Sequence, residues 1–287
     1  MSGNKSNTRE VIEEVEESEN KATPFVKWAG GKRSIVPILM QYVPNEWANY
    51  YEPFIGGGAL FFENYNELKL AFLSDTNFDL ITAYKVIQKE PEKLIRLLKT
   101  YAQKHSEIFY YDMRKEHNLQ DAIEVAARCI YLNKTCFNGL WRVNSKGEFN
   151  TPIGSYTNPG ICKEDNIMAC HYALEKASIF YGDFLNISAK SGDFVYFDPP
   201  YHPTDETSFT AYSILNFTEK DQIRLRDFII SLHKKEVKIM LSNSNTLFIN
   251  DLYKSKIFTK RVISAPRMVN CKPGGRGNVE EILITNY

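Results

Sequence analysis

Four consecutive residues, Asp198, Pro199, Pro200 and Tyr201, end the apolar run Phe194 to Phe197 in the stretch "GDFVYFDPPYHP". The run reads as a buried strand, and two prolines cannot continue a central strand because they lack the N–H its ladder needs. An Asp-Pro turn closing a strand is the plain structural account of such an ending. Open parallel sheets, however, bind ligands outside the carboxyl ends of their strands. A carboxylate, a carbonyl stiffened by proline and a ring held there are positioned for chemistry.

Other strand endings carry the same kind of group. Asp75, after "LAFLS", stands where doubly wound folds hold a ribose diol, and Asp183, in "YGDF", could accept from an exocyclic adenine amine. Each is also an ordinary turn former. In "YYEPFIGGGALFF" three glycines lie between a strand and a helix, where backbone can approach a ligand closely. Phe61 occupies the place of the last glycine of a dinucleotide fingerprint. "WAGGKRS" is no P-loop, with Val26 at the first glycine position and Arg33 at the Ser/Thr position. A nucleotide-like ligand without a pyrophosphate fits better.

The elements that must position these residues follow from periodicity. "NYYEPF", "LKLAFLSD", "ASIFYGD", "DFVYFD", "VKIMLSN", "KIFTKRVIS" and "EEILITN" read as strands. "ALFFENY" is a short helix, and a longer one lies between Asp221 and Leu232, where Thr218 can cap it, Asp221 sits where a capping box wants an acid, and Leu225, Phe228, Ile229 and Leu232 follow helical spacing. The sum is a doubly wound α/β sheet. Residues 90–165 break the rhythm. "PEKLIRLLKTYAQ" and "DAIEVAARCIYLNK" are helical, and "CFNGLWRVNSKGEFNTPIGSYTNPG" is rich in Asn, Gly and aromatics, with "NSKG" a hairpin turn. The expected organisation is an acidic tail over 1–23, a catalytic domain over 24–89 and 166–287, and a recognition subdomain over 90–165.

Composition narrows the class. The 287 residues balance 35 Lys and Arg against 35 Asp and Glu. The charges are unevenly spread: residues 254–279 hold seven basic residues and no acid, and residues 128–163 hold five against Glu148 alone. Basic segments interleaved with aromatics suit phosphate contact, although a solvated charged face is the default account. Five cysteines without C-x-x-C spacing argue against a disulfide framework or a zinc site. No apolar run approaches the roughly 18 residues that span a bilayer, so a cytoplasmic protein is expected.

The ordered set "PFVKWAGGK", "EPFIGGG", "YGDF", "DPPY" and "LSNS" resembles the Dam-type DNA adenine methyltransferases, the alpha group of amino-methyltransferases, and is similar to the DpnII-type methylases. The resemblance runs from Pro24 to Tyr287. It implies a Rossmann-like seven-stranded methyltransferase sheet with an inserted, mostly helical DNA-recognition subdomain and hairpin. S-adenosyl-L-methionine would be the methyl donor and duplex DNA the substrate, with no metal. It also implies that Asp198 and the Pro199 carbonyl accept the two hydrogens of the target adenine amine, that Tyr201 stacks on the flipped base, and that Pro200 completes the motif. Trp28, Ala29, Gly30 and Lys32 would close one side of the cofactor, with Glu52, Pro53, Phe54, Gly56 and Gly58 beneath it. Asp75 would hold its ribose, Asp183 and Phe184 its adenine, and Asp198 would lie beside the methyl group.

For DNA, the resemblance implies GATC as the target. Arg142 and Lys27 would read guanines, Asn138 and Leu140 would lie near the vacated adenine position and the outer base pair, and Asn144 and Asn150 would sit beside them. Lys134, Lys146, Arg267, Lys272 and Arg276 are expected on phosphates. Ser155 departs from the pattern, since relatives often carry a basic residue after the glycine of this segment. A cognate restriction endonuclease and a monomer on DNA are further expectations. Methylation at cytosine carbon 5 is disfavoured because no cysteine follows a proline. Amino-cytosine methylation usually places Ser where Asp198 stands. A catalytically silent regulator on the same fold and a nicotinamide-dependent oxidoreductase are the other classes weighed.

Overall fold

A computed structural model describes residues 21–204, 217–266 and 278–287. Most of the acidic start, and Arg267, Lys272 and Arg276, lie outside the described residues.

The chain runs through α1 (Val36–Leu39), β1 (Tyr50–Glu52), α2 (Ala59–Asn64), β2 (Ala71–Asp75), α3 (Phe78–Lys89), α4 (Pro91–Lys104), α5 (Glu107–Lys115), α6 (Ala122–Thr135) and α7 (Glu164–Ala173). It continues through β3 (Ala177–Tyr181), β4 (Phe194–Phe197), α8 (Glu219–His233), β5 (Lys238–Ser244), α9 (Leu247–Leu252), β6 (Thr259–Pro266) and β7 (Asn278–Thr285). The seven strands form one sheet in the order β3-β2-β1-β4-β5-β7-β6. β1 to β5 pair in parallel, and β7 runs antiparallel between β5 and β6. The strand order reverses between β1 and β4, where such sheets open a crevice at their carboxyl edge.

Local chemistry explains the elements. β4 is buried at all four positions, as a strand covered on both faces requires. β1 is shorter than its apolar pattern predicts, because Pro53 has no N–H to extend the ladder. Asn77 caps α3 by accepting from the Leu80 N–H, and Asp121 caps α6 by accepting from Ile123 and Glu124. The Asp221 carboxylate accepts from the Thr218 N–H at 2.8 Å, closing the first turn of α8. Two cores flank the sheet. One gathers Leu73, Tyr84, Leu98, Ile130 and Tyr196, the other Phe184, Val195, Phe197, Leu225 and Ile239. The first core is continuous from β2 through α3 into α4 and α6, so the helices of the 90–165 segment pack on α3 and reach the sheet through it. Among the described residues, no helix is long and apolar enough to cross a membrane.

Candidate active site and nucleic-acid interface

Asp198 leaves β4 at the switch point and meets a buried cation: Lys32 Nζ lies 3.1 Å from its Oδ1. Lys32 is held there by donating to the Gly30 carbonyl at 2.7 Å, and its ammonium lies 4.3 Å from the centre of the Tyr201 ring. Tyr201 is fixed in turn by donating its hydroxyl to Glu281 on β7 at 2.7 Å. Asp198 Oδ1 is buried, and among the described residues the Lys32 ammonium meets it as an ion pair outside the angle of a regular hydrogen bond. The loop thus presents an acceptor with spare capacity. Burial raises Asp198 to about 6, the Lys32 charge opposing this and Glu281 adding to it.

Around the β1 and β2 ends, Glu52 is buried and accepts from the Tyr50 hydroxyl at 2.6 Å. Burial raises Glu52 to about 8, so it is mainly neutral at physiological pH and sits behind the crevice as an uncharged carboxyl. Pro53 is buried and turns the chain out of the strand. Gly56 has φ +45°, and a Cβ there would lie 2.7 Å from Trp28 Cδ1. The absent side chain is what lets Trp28 cross over the glycine turn. Gly58, at φ +69°, starts α2, and a Cβ there would strike the Tyr84 hydroxyl. Asp75 ends β2, accepting from the Gly56 N–H at 3.0 Å and the Asn77 N–H at 2.9 Å, and burial raises its pKa.

Phe54 stacks on Phe184 with ring centres 5.5 Å apart, and Phe217 packs edge-on against Phe54. These rings wall the crevice between β1 and β4. Asp183 stands beside them, but its two oxygens already accept from Arg224 at 3.1 and 2.9 Å, and the Arg224 guanidinium lies over Phe184. Arg224, on α8, was not anticipated from the sequence. Ala29 and Gly30 are exposed in the turn that carries Lys32.

The Trp28 strap is joined to the Asn- and aromatic-rich segment. Trp28 stacks on Trp141, with centres 5.9 Å apart and planes inclined at 24°. Asn133, fully buried on α6, accepts from the Lys27 N–H and donates both to the Lys27 carbonyl and to the Gly139 carbonyl. Gly139 has φ +67°, and a Cβ there would lie 2.6 Å from Lys27 Cβ, so the glycine of "FNGLWR" is required by that approach. Asn138 adopts φ +55°, and both Asn138 and Leu140 face solvent.

Arg142 is exposed but held: it donates Nε to Asn150 Oδ1 at 2.7 Å and a second nitrogen to the Asn150 carbonyl at 3.2 Å. Asn144 is occupied by the hairpin turn, its oxygen accepting from the Lys146 and Glu148 N–H groups. Lys146 is exposed at the tip. Lys27 Nζ lies over the Tyr156 ring at 4.3 Å. Lys134 is lowered to about 8 by burial and by the positive charges of Lys163, Lys27 and Arg33. An anion brought to this cluster would relieve that repulsion.

Sequence reasoning missed Glu281, Arg224, Gln222, Asn243 and Asn133. Gln222 carried a usable signal, being a polar residue three positions before Leu225 on the apolar stripe of α8. Asn243 sat in plain view in "LSNS" without a role.

A seven-stranded sheet in this order, with a strand-terminal carboxylate and aromatic walls at its switch point, defines a Rossmann-like methyltransferase class. Residues 28–268 match the D12 class N6 adenine-specific DNA methyltransferase family. The chain is 42% identical over 274 residues to the type II methyltransferase M1.LlaDCHI of Lactococcus lactis subsp. cremoris, spanning 92% of this chain and 95% of that one. It is 41% identical over 288 residues to the type II methyltransferase M.MjaIII of Methanocaldococcus jannaschii, covering 92% and 99%. It is 31% identical over 279 residues to the DNA adenine methylase of Escherichia coli (strain K12), covering 92% and 95%. The chain therefore belongs to the D12 class of N6 adenine-specific DNA methyltransferases, and its substrate is DNA.

Proposed function

We propose that the protein methylates the adenine of GATC, flipped out of duplex DNA, from S-adenosyl-L-methionine, with Asp198 and the Pro199 carbonyl accepting the two hydrogens of the amine. The observation that carries this reading is the buried Asp198 carboxylate at the switch point, held by Lys32 at 3.1 Å and keeping lone-pair capacity for a further donor. A hydrogen bond to a charged group contributes about 1.5–3 kcal/mol, which a donor amine would supply.

The residues of the crevice fit the cofactor. Each Asp75 oxygen accepts one backbone N–H and keeps lone-pair capacity for one ribose hydroxyl. Phe54 and Phe184 offer flat apolar walls for a purine. Asp183 would accept from the adenine amine, with Arg224 yielding or sharing that carboxylate. When bound, S-adenosyl-L-methionine supplies an electrophilic methyl group on a sulfonium.

The target amine is a poor nucleophile because its lone pair is delocalised into the ring. Acceptance of both its hydrogens, at Asp198 and at Pro199, favours a pyramidal nitrogen with a localised lone pair. The ion pair with Lys32 and the cation's place against Tyr201 hold the carboxylate in position before the base arrives. Tyr201 supplies a ring at the mouth of the site for stacking, and extrusion of the base costs a few kcal/mol.

DNA would be read by Lys27, Asn138, Leu140 and Arg142, with Lys134 and Lys146 on phosphates. The hold of Asn150 on one edge of Arg142 orients the guanidinium in advance, as bidentate reading of guanine O6 and N7 requires. Arg142→Ala is expected to relax discrimination at one base pair by about 1–3 kcal/mol. Kinetics on singly substituted GATC duplexes check this: a uniform loss across the set means that Arg142 contacts phosphate instead. A companion restriction endonuclease is the reading that the two type II relatives support, and the enzyme acts as a monomer on DNA.

A further inference from the structure

Pro199 and Pro200 have no N–H, so the sheet ladder cannot hold the loop that follows β4. Beside the Tyr201–Glu281 bond and the Ser244 hydroxyl, which donates to the His202 carbonyl, two buried amides hold it. Gln222, 1% exposed on the first turn of α8, donates Nε2 to the Pro200 carbonyl at 2.9 Å. Asn243, fully buried on β5, accepts the His202 N–H at 3.1 Å and the Ser244 N–H at 2.9 Å through Oδ1. The two amides are joined to each other, Asn243 Nδ2 donating to Gln222 Oε1 at 3.1 Å.

The direction of this relay is fixed at both ends. The Pro200 carbonyl only accepts and the His202 N–H only donates. Turning over either amide, or both together, sets like groups against each other at one end or both. The ring of Pro200 locks its φ near about −65°. Once the Pro200 carbonyl is held, the Pro199–Pro200 peptide, whose carbonyl is the second acceptor of the amine, loses most of its independent rotation.

We propose that Gln222 and Asn243 are positioning residues for methyl transfer, a two-amide relay that aims the Pro199 carbonyl while touching neither substrate nor cofactor. The proposal rests on the two-acceptor reading of the active site.

Single-turnover methylation of a GATC duplex, at saturating S-adenosyl-L-methionine and DNA, tests it across pH. Gln222→Met keeps the length and removes the donor. It is expected to slow transfer about tenfold at every pH, with both binding constants little changed and Tm lowered by the two buried groups it leaves unpaired. Gln222→Glu is the sharper probe. Its carboxylic acid can donate to Pro200 and accept from Asn243, whereas its carboxylate cannot donate. The ratio of variant to wild-type rate should therefore be near one at the acid end and fall as pH rises, a signature that mere loosening of the fold would not produce. Asn243→Asp obeys the same logic at the other amide and serves if the Gln222 variants fail to fold.

A wild-type rate for Gln222→Met, a pH-flat ratio for both acid variants, or a loss that tracks cofactor affinity would overturn the relay. Asp198→Ala in the same assay separates the two levels. If it transfers normally, the two-acceptor reading fails; if it is inactive while the relay variants behave as wild type, the relay alone fails.

Discussion

Replacement of Asp198 by Ala is expected to lower the single-turnover rate of methyl transfer by about 10²- to 10⁴-fold, the range for removing a group that acts in the transition state. Affinity for S-adenosyl-L-methionine should change far less. The variant removes the buried acceptor and leaves Lys32, 6% exposed, without its 3.1 Å partner. An uncompensated buried cation is destabilising, so Tm must be measured beside the rate, and Asp198→Asn, which keeps an acceptor oxygen but no charge, is the companion variant. The wild-type rate should also depend on pH. Because Asp198 is raised to about 6, the acceptor is the carboxylate above that pH and the neutral acid below it. The rate should thus fall as pH drops through about 6 and be level above it. A near wild-type rate in Asp198→Ala would sink the mechanism.

The second large effect lies on the cofactor side. Asp75→Ala should weaken S-adenosyl-L-methionine by about 10- to 150-fold, equivalent to one hydrogen bond to a charged group at about 1.5–3 kcal/mol. The carboxylate also ties the Gly56 N–H to the Asn77 N–H, so its loss loosens the turn beneath Trp28 as well as the diol site. Isothermal titration with the cofactor reads the first effect, and the Kd for a GATC duplex serves as the control that should hold steady. Unchanged cofactor affinity would remove Asp75 from the ribose site.

How far the sequence could be read depended on the range of the interaction. β4 was legible to the residue, since Phe194 to Phe197 are a continuous apolar run ended by Asp-Pro. The α8 start was legible through Thr218 and Asp221, three residues apart, and the hairpin through "NSKG", where the Gly147 N–H donates to the Asn144 carbonyl. Contacts between distant elements left no periodic trace. Tyr201 meets Glu281 across 80 positions, Asp183 meets Arg224 across 41, and Lys27 meets Asn133 across 106. The same limit hid the local roles of Asn144 and Asn150, since only the fold shows Asn144 closing the turn and Asn150 steadying Arg142.

The most direct test is single-base mapping of methylated bases in DNA from a methylation-free host expressing the full chain, with Asp198→Ala as the paired control. The account predicts N6-methyladenine at GATC sites with the wild type and none above background with the variant. Methylation at sites other than GATC, methyl groups on cytosine N4, or an undiminished GATC signal from Asp198→Ala would contradict it.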